Sequence, residues 1–234
     1  MPKPLNVFTK DTLTRKELFY IKKNVSRENF ATWLTDNFRA IRCYHAGRPI
    51  DLTTYFEHGL RPNNLNQALE SFHNFLKTVN YVGKIDVQET VELFKGKSDR
   101  FVYVILDKYD FIDQAPHYWI YGSEFMLCLA QNTAYHLKDD LKKIGTPTIF
   151  TCDLPFDLIN NSELISLYDR IKDTNGTFNQ MLNDIFSNYT IIIENNISPH
   201  CIIAHEHPTE RVQDFHAGGY YQNSMVYCEA CQPS

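Results

Sequence analysis

A histidine at the end of a predicted strand is the first group in this sequence that could take part in chemistry. It lies in the run Arg42-Cys-Tyr-His45-Ala-Gly47, and Tyr55 follows it in the next predicted helix. Small residues after the strand would let a ligand approach the backbone, and an imidazole at a sheet edge could then bind that ligand. The alternative is a half-buried histidine with a structural role, and a histidine taken alone favours that interpretation.

A second candidate group lies where an aromatic segment gives way to a helix. Tyr118-Trp-Ile-Tyr121 is predicted to be a strand, and Ser123 is predicted to cap the following helix, with Glu124 in its first turn. A carboxylate fixed at this junction could bind a sugar hydroxyl or stabilise a developing positive charge. Acidic residues also favour helix N-termini for electrostatic reasons alone, so the spacing by itself favours a structural role.

The C-terminal region carries residue types that bind metals. His205-Glu-His207 and Cys228-Glu-Ala-Cys231 together could form a tetrahedral zinc site. The two pairs are separated by residues 208–227, an order that matches no familiar zinc finger. We therefore expect a surface histidine pair and two free thiols, and assign no metal ligand.

The composition is typical of a folded globular protein. The chain has 234 residues, of which 43% are hydrophobic and 22% charged, values that exclude a disordered chain. No apolar run approaches the ~20 residues that span a bilayer, and no secretory signal is recognisable. The six cysteines are therefore expected to be reduced, and we predict a cytoplasmic protein without a membrane partner.

The charge balance argues mildly against one further class of site, and the glycine pattern argues against another. The 23 basic and 28 acidic residues give a net charge of −5, which offers no general reason to expect a long nucleic-acid groove. Neither a P-loop nor a G-x-G-x-x-G sequence is present. A nucleotide would have to bind without a glycine-rich phosphate loop.

The apolar periodicity predicts an α+β chain with its helices concentrated early. Predicted helices cover residues 13–23, a segment starting at Ser26, and residues 52–58, 65–79, 87–94, 123–143 and 177–187. Predicted strands cover residues 40–45, 101–106, 118–121, 148–152, 189–194 and 199–204. The segment from residue 208 onward is predicted to be loop-like.

Two segments near the candidate histidine carry a family resemblance. Cys43-Tyr-His-Ala-Gly47, followed by Asp51-Leu-Thr-Thr-Tyr-Phe-Glu-His-Gly-Leu60, resembles the opening of ADP-ribosyltransferase-like domains of the diphtheria-toxin, PARP and DarT type. Later similarities are a tyrosine-bearing strand that runs into a helix, residues 146–150, and the closing segment at residues 197–202. Together these short motifs cover about residues 40–205.

This resemblance implies a single domain with a central split antiparallel or mixed sheet flanked by helices. Residues 1–39 would form N-terminal helices packed on the core, residues 40–207 the catalytic domain, and residues 208–234 a C-terminal tail. NAD would be the substrate. On the family pattern, His45 would hold the ribose and an aromatic ring would stack on nicotinamide, with Tyr55, Tyr118 and Tyr121 as stacking candidates.

The resemblance also implies a glutamate that supports the oxocarbenium-like transition state. We expect Glu124 to act in this role together with His45, and Arg42 to contact an NAD phosphate. Glu194 is the alternative, but it lies too close to the Ile-Ser-Pro turn to fit the family pattern comfortably. The complete set assigned to NAD binding is Arg42, Tyr44, His45, Tyr55, Tyr118, Tyr121 and Ser123.

The function implied is transfer of ADP-ribose from NAD to a macromolecular acceptor, either a protein or a nucleic acid. Relatives of this type suggest a toxin that is held by an antitoxin protein. Two other functions remain open from the sequence. One is a non-catalytic binding module that keeps the same scaffold, and the other is a metal-dependent nuclease that uses His205 and His207 with an acid such as Asp214.

Overall fold

The computed structural model describes residues 6–95, 100–224 and 228–231 and has the predicted α+β fold. Within these residues, eight strands form one six-stranded sheet and a separate hairpin. The strands are Val7–Phe8 (β1), Ala40–Gly47 (β2), Val102–Ile105 (β3), Thr148–Leu154 (β4), Thr190–Ile193 (β5), Ile202–Glu206 (β6), Arg211–Asp214 (β7) and Gly219–Gln222 (β8).

Eleven α-helices surround the sheet in the described part of the chain. They are Arg15–Asn24 (α1), Phe30–Asn37 (α2), Thr53–His58 (α3), Leu65–Thr78 (α4), Gln88–Phe94 (α5), Asp110–Asp113 (α6), His117–Tyr121 (α7), Glu124–Thr133 (α8), Leu137–Leu141 (α9), Asn161–Asp173 (α10) and Phe178–Phe186 (α11). None of these described helices is long and apolar enough to cross a membrane.

The large sheet is split beside its central strand. Its strand order is β5-β3-β2-β4-β6, with β1 added in parallel at the start of β2. β2 pairs with β4 without interruption from Ile41↔Leu154 to Gly47↔Thr148. β2 meets β3 only at Tyr44↔Ile105, so the two strands diverge beyond this point.

The alternation of side chains gives the sheet two faces with separate cores. On what we call the first face, Ile41 and Cys43 of β2 pack in a core with Phe150 and Val104. This core is closed by α1, α2, α10 and α11, through residues such as Leu18, Leu34, Leu167 and Ile185. On the second face, Tyr44, Ala46 and Ile149 pack in another core, which includes Phe72, Trp119 and Phe125 from α4, α7 and α8.

The prediction of a strand at residues 118–121 is wrong, because this segment belongs to the helix α7. Pro116 lies at the N-cap of α7, where a missing backbone N–H costs nothing. Trp119 is fully buried on the second face and donates its indole N–H to the Phe111 carbonyl at 2.9 Å. Aromatic residues favour strands only where a pleated surface packs them, and here a helix packs them instead.

Other element boundaries also differ from the prediction. The helix expected over residues 123–143 is broken into α8 and α9 by the extended residue Ala134. α2 begins at Phe30 rather than after Ser26, and α10 was not predicted. Residues 199–201 form a short 3₁₀ turn that leads into β6.

The predicted loop-like tail contains the hairpin of β7 and β8. Val212 and Tyr221 pack into the second core, which explains why this polar segment is ordered into strands. Residues 1–5 of the predicted N-terminal region and residues 232–234 of the predicted tail lie outside the described residues.

Candidate functional site

His45 lies on the first face, in the opening between β2 and β3. It follows Ile41 and Cys43 in the uninterrupted alternation of β2 and pairs with Phe150 of β4. Its Nδ1 lies 2.9 Å from the Tyr103 carbonyl oxygen. A carbonyl can only accept, so Nδ1 carries the hydrogen and the lone pair lies on Nε2.

The environment of His45 favours the neutral imidazole. Burial lowers the pKa of His45, and the bond to the Tyr103 carbonyl only partly opposes this shift. Nε2 bonds no described residue. The ring is therefore fixed through one nitrogen while the other can accept a hydrogen bond from a ligand.

Tyr55 is the predicted NAD-binding residue that shares this face with His45. Its ring stacks on Phe150, with centroids 4.6 Å apart and planes at 13°. The absence of a side chain at Gly47 leaves space beside the Tyr55 hydroxyl, since an added Cβ would lie 3.8 Å from it. As predicted, α3 ends at Gly59, which has φ +75°.

Glu124 belongs to the opposite side of the sheet. Ser123 caps α8 as predicted, its Oγ accepting from the Met126 N–H at 3.2 Å. The exposed Glu124 carboxylate accepts from the Tyr118 hydroxyl, and burial followed by this negative charge raises the pKa of Tyr118 to about 12. Tyr118 packs against the second core, so Glu124 lies on the face opposite the His45 ring. Burial and then the Glu124 charge raise the pKa of Tyr103, the β3 residue whose carbonyl bonds His45, so Glu124 lies near the same strand.

The predicted NAD-binding residues Arg42, Tyr44 and Tyr121 also lie on the second face, where Arg42 and Tyr121 are bonded to carboxylates. Arg42 forms two bonds to the Asp153 carboxylate, at 2.8 and 3.1 Å. Tyr44 is half-buried in the second core, and burial raises its pKa to about 12. The Tyr121 hydroxyl donates to Asp214 at 2.7 Å. Tyr44 and Tyr121 therefore lie on the face opposite the His45 ring, and the guanidinium of Arg42, predicted to contact a phosphate, is paired with Asp153.

Glu194, the alternative carboxylate, lies on a segment that leads to the first face. It is exposed and directly follows β5. Three residues later, Ile197 exchanges two backbone hydrogen bonds with Leu60, at 2.9 and 3.0 Å. Both residues belong to the first core, just beyond α3. The segment after Glu194 therefore reaches the first core at Ile197, while the Glu194 carboxylate itself has no described contact with His45 or Tyr55.

A cluster of metal-ligating side chains lies on the same face, two strands from His45. The ligand atoms of His205, His207, Cys228 and Cys231 all lie within 4.8 Å of one another. His205 pairs with Phe150, as His45 does from the other side, so the three side chains form one row across β2, β4 and β6. The sequence offered these four residues as a possible zinc site but favoured a surface histidine pair and two free thiols, and their spacing does not show that they converge.

The two histidines of the cluster are held differently. His207 donates from Nδ1 to the Pro147 carbonyl at 2.7 Å, and its Nε2 is buried without a described partner. The Nε2 of His205 lies 3.0 Å from the Cys231 Sγ and 3.8 Å from the Cys228 Sγ. The Phe56 ring packs against His205, with centroids 5.2 Å apart.

Asp214 is not part of this cluster, which leaves the nuclease hypothesis without its carboxylate. Lys142 lies 2.8 Å from the Asp214 carboxylate, which also accepts from Tyr121 and from two backbone N–H groups. Burial raises the pKa of Asp214, but the bonds from Lys142 and Tyr121 outweigh it and the net shift is downward. Asp214 thus fastens the hairpin to the second face.

Two surface hollows among the described residues lie away from both candidate groups. One is lined by residues of α10 and α11 with Tyr189, and the other by residues 62–66 together with α5. Neither is lined by His45 or Glu124.

No protein-family model, curated protein or solved structure matches this chain. The family resemblance therefore depends on the short motifs quoted from the sequence and remains a prediction.

Proposed function

We propose that this chain is an NAD-dependent ADP-ribosyltransferase whose nicotinamide-ribose site is on the first face. The observation that carries the proposal is the setting of His45. Its Nδ1 is bonded to the Tyr103 carbonyl, and its Nε2, which bonds no described residue, lies beside the opening between β2 and β3. A fixed, neutral imidazole of this kind can accept a hydrogen bond from a ribose hydroxyl.

Tyr55 is the aromatic group that we assign to the nicotinamide. Its hydroxyl bonds no described residue, and Gly47 leaves space next to it. The stacked Phe150 ring supports Tyr55 from below and fixes its orientation. Tyr118 and Tyr121 lose this role because they pack on the other face.

We assign the catalytic carboxylate to Glu194 in place of Glu124. Cleavage of the nicotinamide-ribose bond builds positive charge on the sugar, and a nearby fixed anion stabilises that charge. Nicotinamide leaves with the electron pair of the broken bond, while an acceptor nucleophile forms the new bond to the same carbon. The proton of the nucleophile passes to the carboxylate or to solvent.

We propose that the ADP-ribose is transferred to a macromolecular acceptor, either a protein or a nucleic acid. The toxin role, the antitoxin partner and the cytoplasmic location are parts of the same proposal and depend on transfer being observed. A non-catalytic module would bind NAD without releasing nicotinamide.

The test is nicotinamide release from NAD, with two matched glutamate variants on opposite faces. We expect release by the wild-type chain to fall by about 100-fold in Glu194→Gln, as for loss of one transition-state contact, and to be unchanged in Glu124→Gln. His45→Ala should reduce release as well. Loss of activity in Glu124→Gln alone would reverse the carboxylate assignment, and no release by the wild-type chain with protein, DNA or RNA acceptors would reject the transferase.

A further inference from the structure

The four side chains gathered at the end of β6 form a second candidate site, separate from the one assigned to NAD. We propose that His205, His207, Cys228 and Cys231 bind one structural zinc ion, which fastens the C-terminal segment to the first face. Two imidazoles and two thiols within 4.8 Å of one another are the donor set of a closed tetrahedral zinc site. This inference does not depend on the proposed transferase activity.

The orientation of His207 is the strongest argument for a metal. Its Nδ1–H is bonded to the Pro147 carbonyl, so the lone pair must lie on Nε2. That Nε2 is buried and has no described partner, which is costly for a polar atom unless a ligand binds it. A histidine that donates to a backbone carbonyl and turns its other nitrogen inward is the usual arrangement of a metal ligand.

The chain positions all four donors through local geometry. His205 and His207 are two residues apart along β6 and its extension, so they point to the same face. Cys228 and Cys231 bracket a 3₁₀ turn, which brings their two sulfurs to the Nε2 of His205 at 3.8 and 3.0 Å. Soft thiolates with imidazoles select zinc over calcium or magnesium, which prefer oxygen donors.

The metal would close a loop around the edge of the sheet. From His207 the chain crosses to the second face, where Val212 and Tyr221 of the hairpin are packed, and returns to the first face at Cys228. β6 is the terminal strand on this side of the large sheet. A metal bridge would therefore hold the returning segment against β6.

The first test measures the metal in the purified full chain by elemental mass spectrometry. We expect about one zinc ion per chain for the wild type. Cys228→Ser and His207→Ala should each lower the zinc content at least about tenfold, as for lost metal ligands. The matched control is Cys128→Ser, which changes a half-buried thiol outside the cluster and should keep the wild-type content. Zinc-free wild-type chain after growth with added zinc would overturn the proposal, as would equal zinc in all variants.

A second measurement uses only the wild-type chain and so does not depend on the folding of variants. After zinc removal, added Co²⁺ should give the visible absorption of a tetrahedral site and the near-ultraviolet bands of cobalt-thiolate bonds. Equimolar Zn²⁺ should abolish both. Co²⁺ binding without the thiolate bands, or a Cys228–Cys231 disulfide found by mass spectrometry in freshly isolated chain, would overturn the assignment. Neither readout involves NAD, so a failed transferase test leaves this result unaffected.

Discussion

The polar side chains on the two faces of the sheet differ in their bonding partners. On the second face, polar groups bond each other: Arg42 is paired with Asp153, and Tyr121 and Lys142 both bond Asp214. On the first face, the Nε2 of His207 is buried and bonds nothing in the described chain, and the Nε2 of His45 also has no described partner. The hydroxyl oxygen of Thr133 on α8 is likewise buried without a described partner, so unpaired atoms are not confined to one face. Folded proteins satisfy nearly all their buried polar groups, so the buried His207 Nε2 is the imidazole nitrogen that points to a ligand.

We expect the largest effect on stability from removal of Asp214, which bonds both Tyr121 and Lys142 on the second face. Asp214→Ala should lower the free energy of unfolding by about 3–5 kcal/mol. It leaves the buried Tyr121 hydroxyl and two backbone N–H groups without their acceptor, and Lys142 with Asp139 alone. Urea unfolding measures this. Asp51→Ala is the control, since it removes only an exposed carboxylate that accepts from the Thr53 N–H, and its loss should be much smaller. Equal losses would mean that the Asp214 network does not hold the second face.

The same carboxylate predicts a pH dependence. Burial works against ionisation of Asp214, but the bonds from Lys142 and Tyr121 lower its pKa in the folded chain. The stabilisation is therefore complete above the unfolded pKa of about 3.9 and is lost as the pH falls through the lower folded value. The free energy of unfolding, measured from about pH 6 down to about pH 2, should fall more steeply with decreasing pH for the wild type than for Asp214→Asn. A parallel decline in both would contradict this assignment.

Removal of the proposed zinc ion from the first face should give the next largest loss of stability. Closing the loop from His205 to Cys231 restricts the unfolded chain, and a cross-link around a loop of this length contributes about 3 kcal/mol. A chelator should therefore lower the urea midpoint of the wild-type chain and have little effect on Cys228→Ser. An unchanged midpoint in the wild type would show that no metal joins these elements.

A smaller effect on stability tests how α3 is held over Phe150 on the first face. Gly59 has φ +75°, and a Cβ there would lie 1.9 Å from the Ile197 carbonyl oxygen. Gly59→Ala should cost about 2–3 kcal/mol and loosen the contact between Leu60 and Ile197. Gly218 has a similar φ of +71° with nothing within 4 Å, so Gly218→Ala reports backbone strain alone, about 1 kcal/mol. If Gly59→Ala and Gly218→Ala lowered the free energy of unfolding equally, Gly59 would not be closely packed against Ile197.

The smallest effect on stability should come from His45 itself. His45→Ala removes one hydrogen bond, to the Tyr103 carbonyl, and should cost about 1 kcal/mol. Thermal unfolding measures it. A cost as large as that of Asp214→Ala would indicate that His45 is a structural histidine, which is the alternative that its sequence position left open.

The sequence predicts local elements well where apolar spacing is strong. β2, β3, β4, α4 and the cap of α8 at Ser123 all form as expected. It fails at α7, where an aromatic run packs as a helix, and at the hairpin, whose order comes from contacts with the second core. These outcomes depend on tertiary packing, which local propensity does not contain.

The candidate sites depend even more on long-range register. The row of His45, Phe150 and His205 exists only because β4 pairs with both β2 and β6. The two faces separate His45 from Glu124, although their spacing in the chain gives no sign of this. The parity of β2 could have assigned His45 to the face of Cys43, but not which helices cover that face.

The most direct test of the first face is nitrogen NMR of the chain labelled with ¹⁵N-histidine, titrated with NAD. Nine histidines give the signals, and His117 and His216 are internal controls, because both lie on the second face with rings 5.5 Å apart. We predict that NAD shifts the Nε2 resonance of His45 and leaves those of His117 and His216 in place. Shifts at His117 and His216 with an unmoved His45 would contradict the assignment of NAD to the first face.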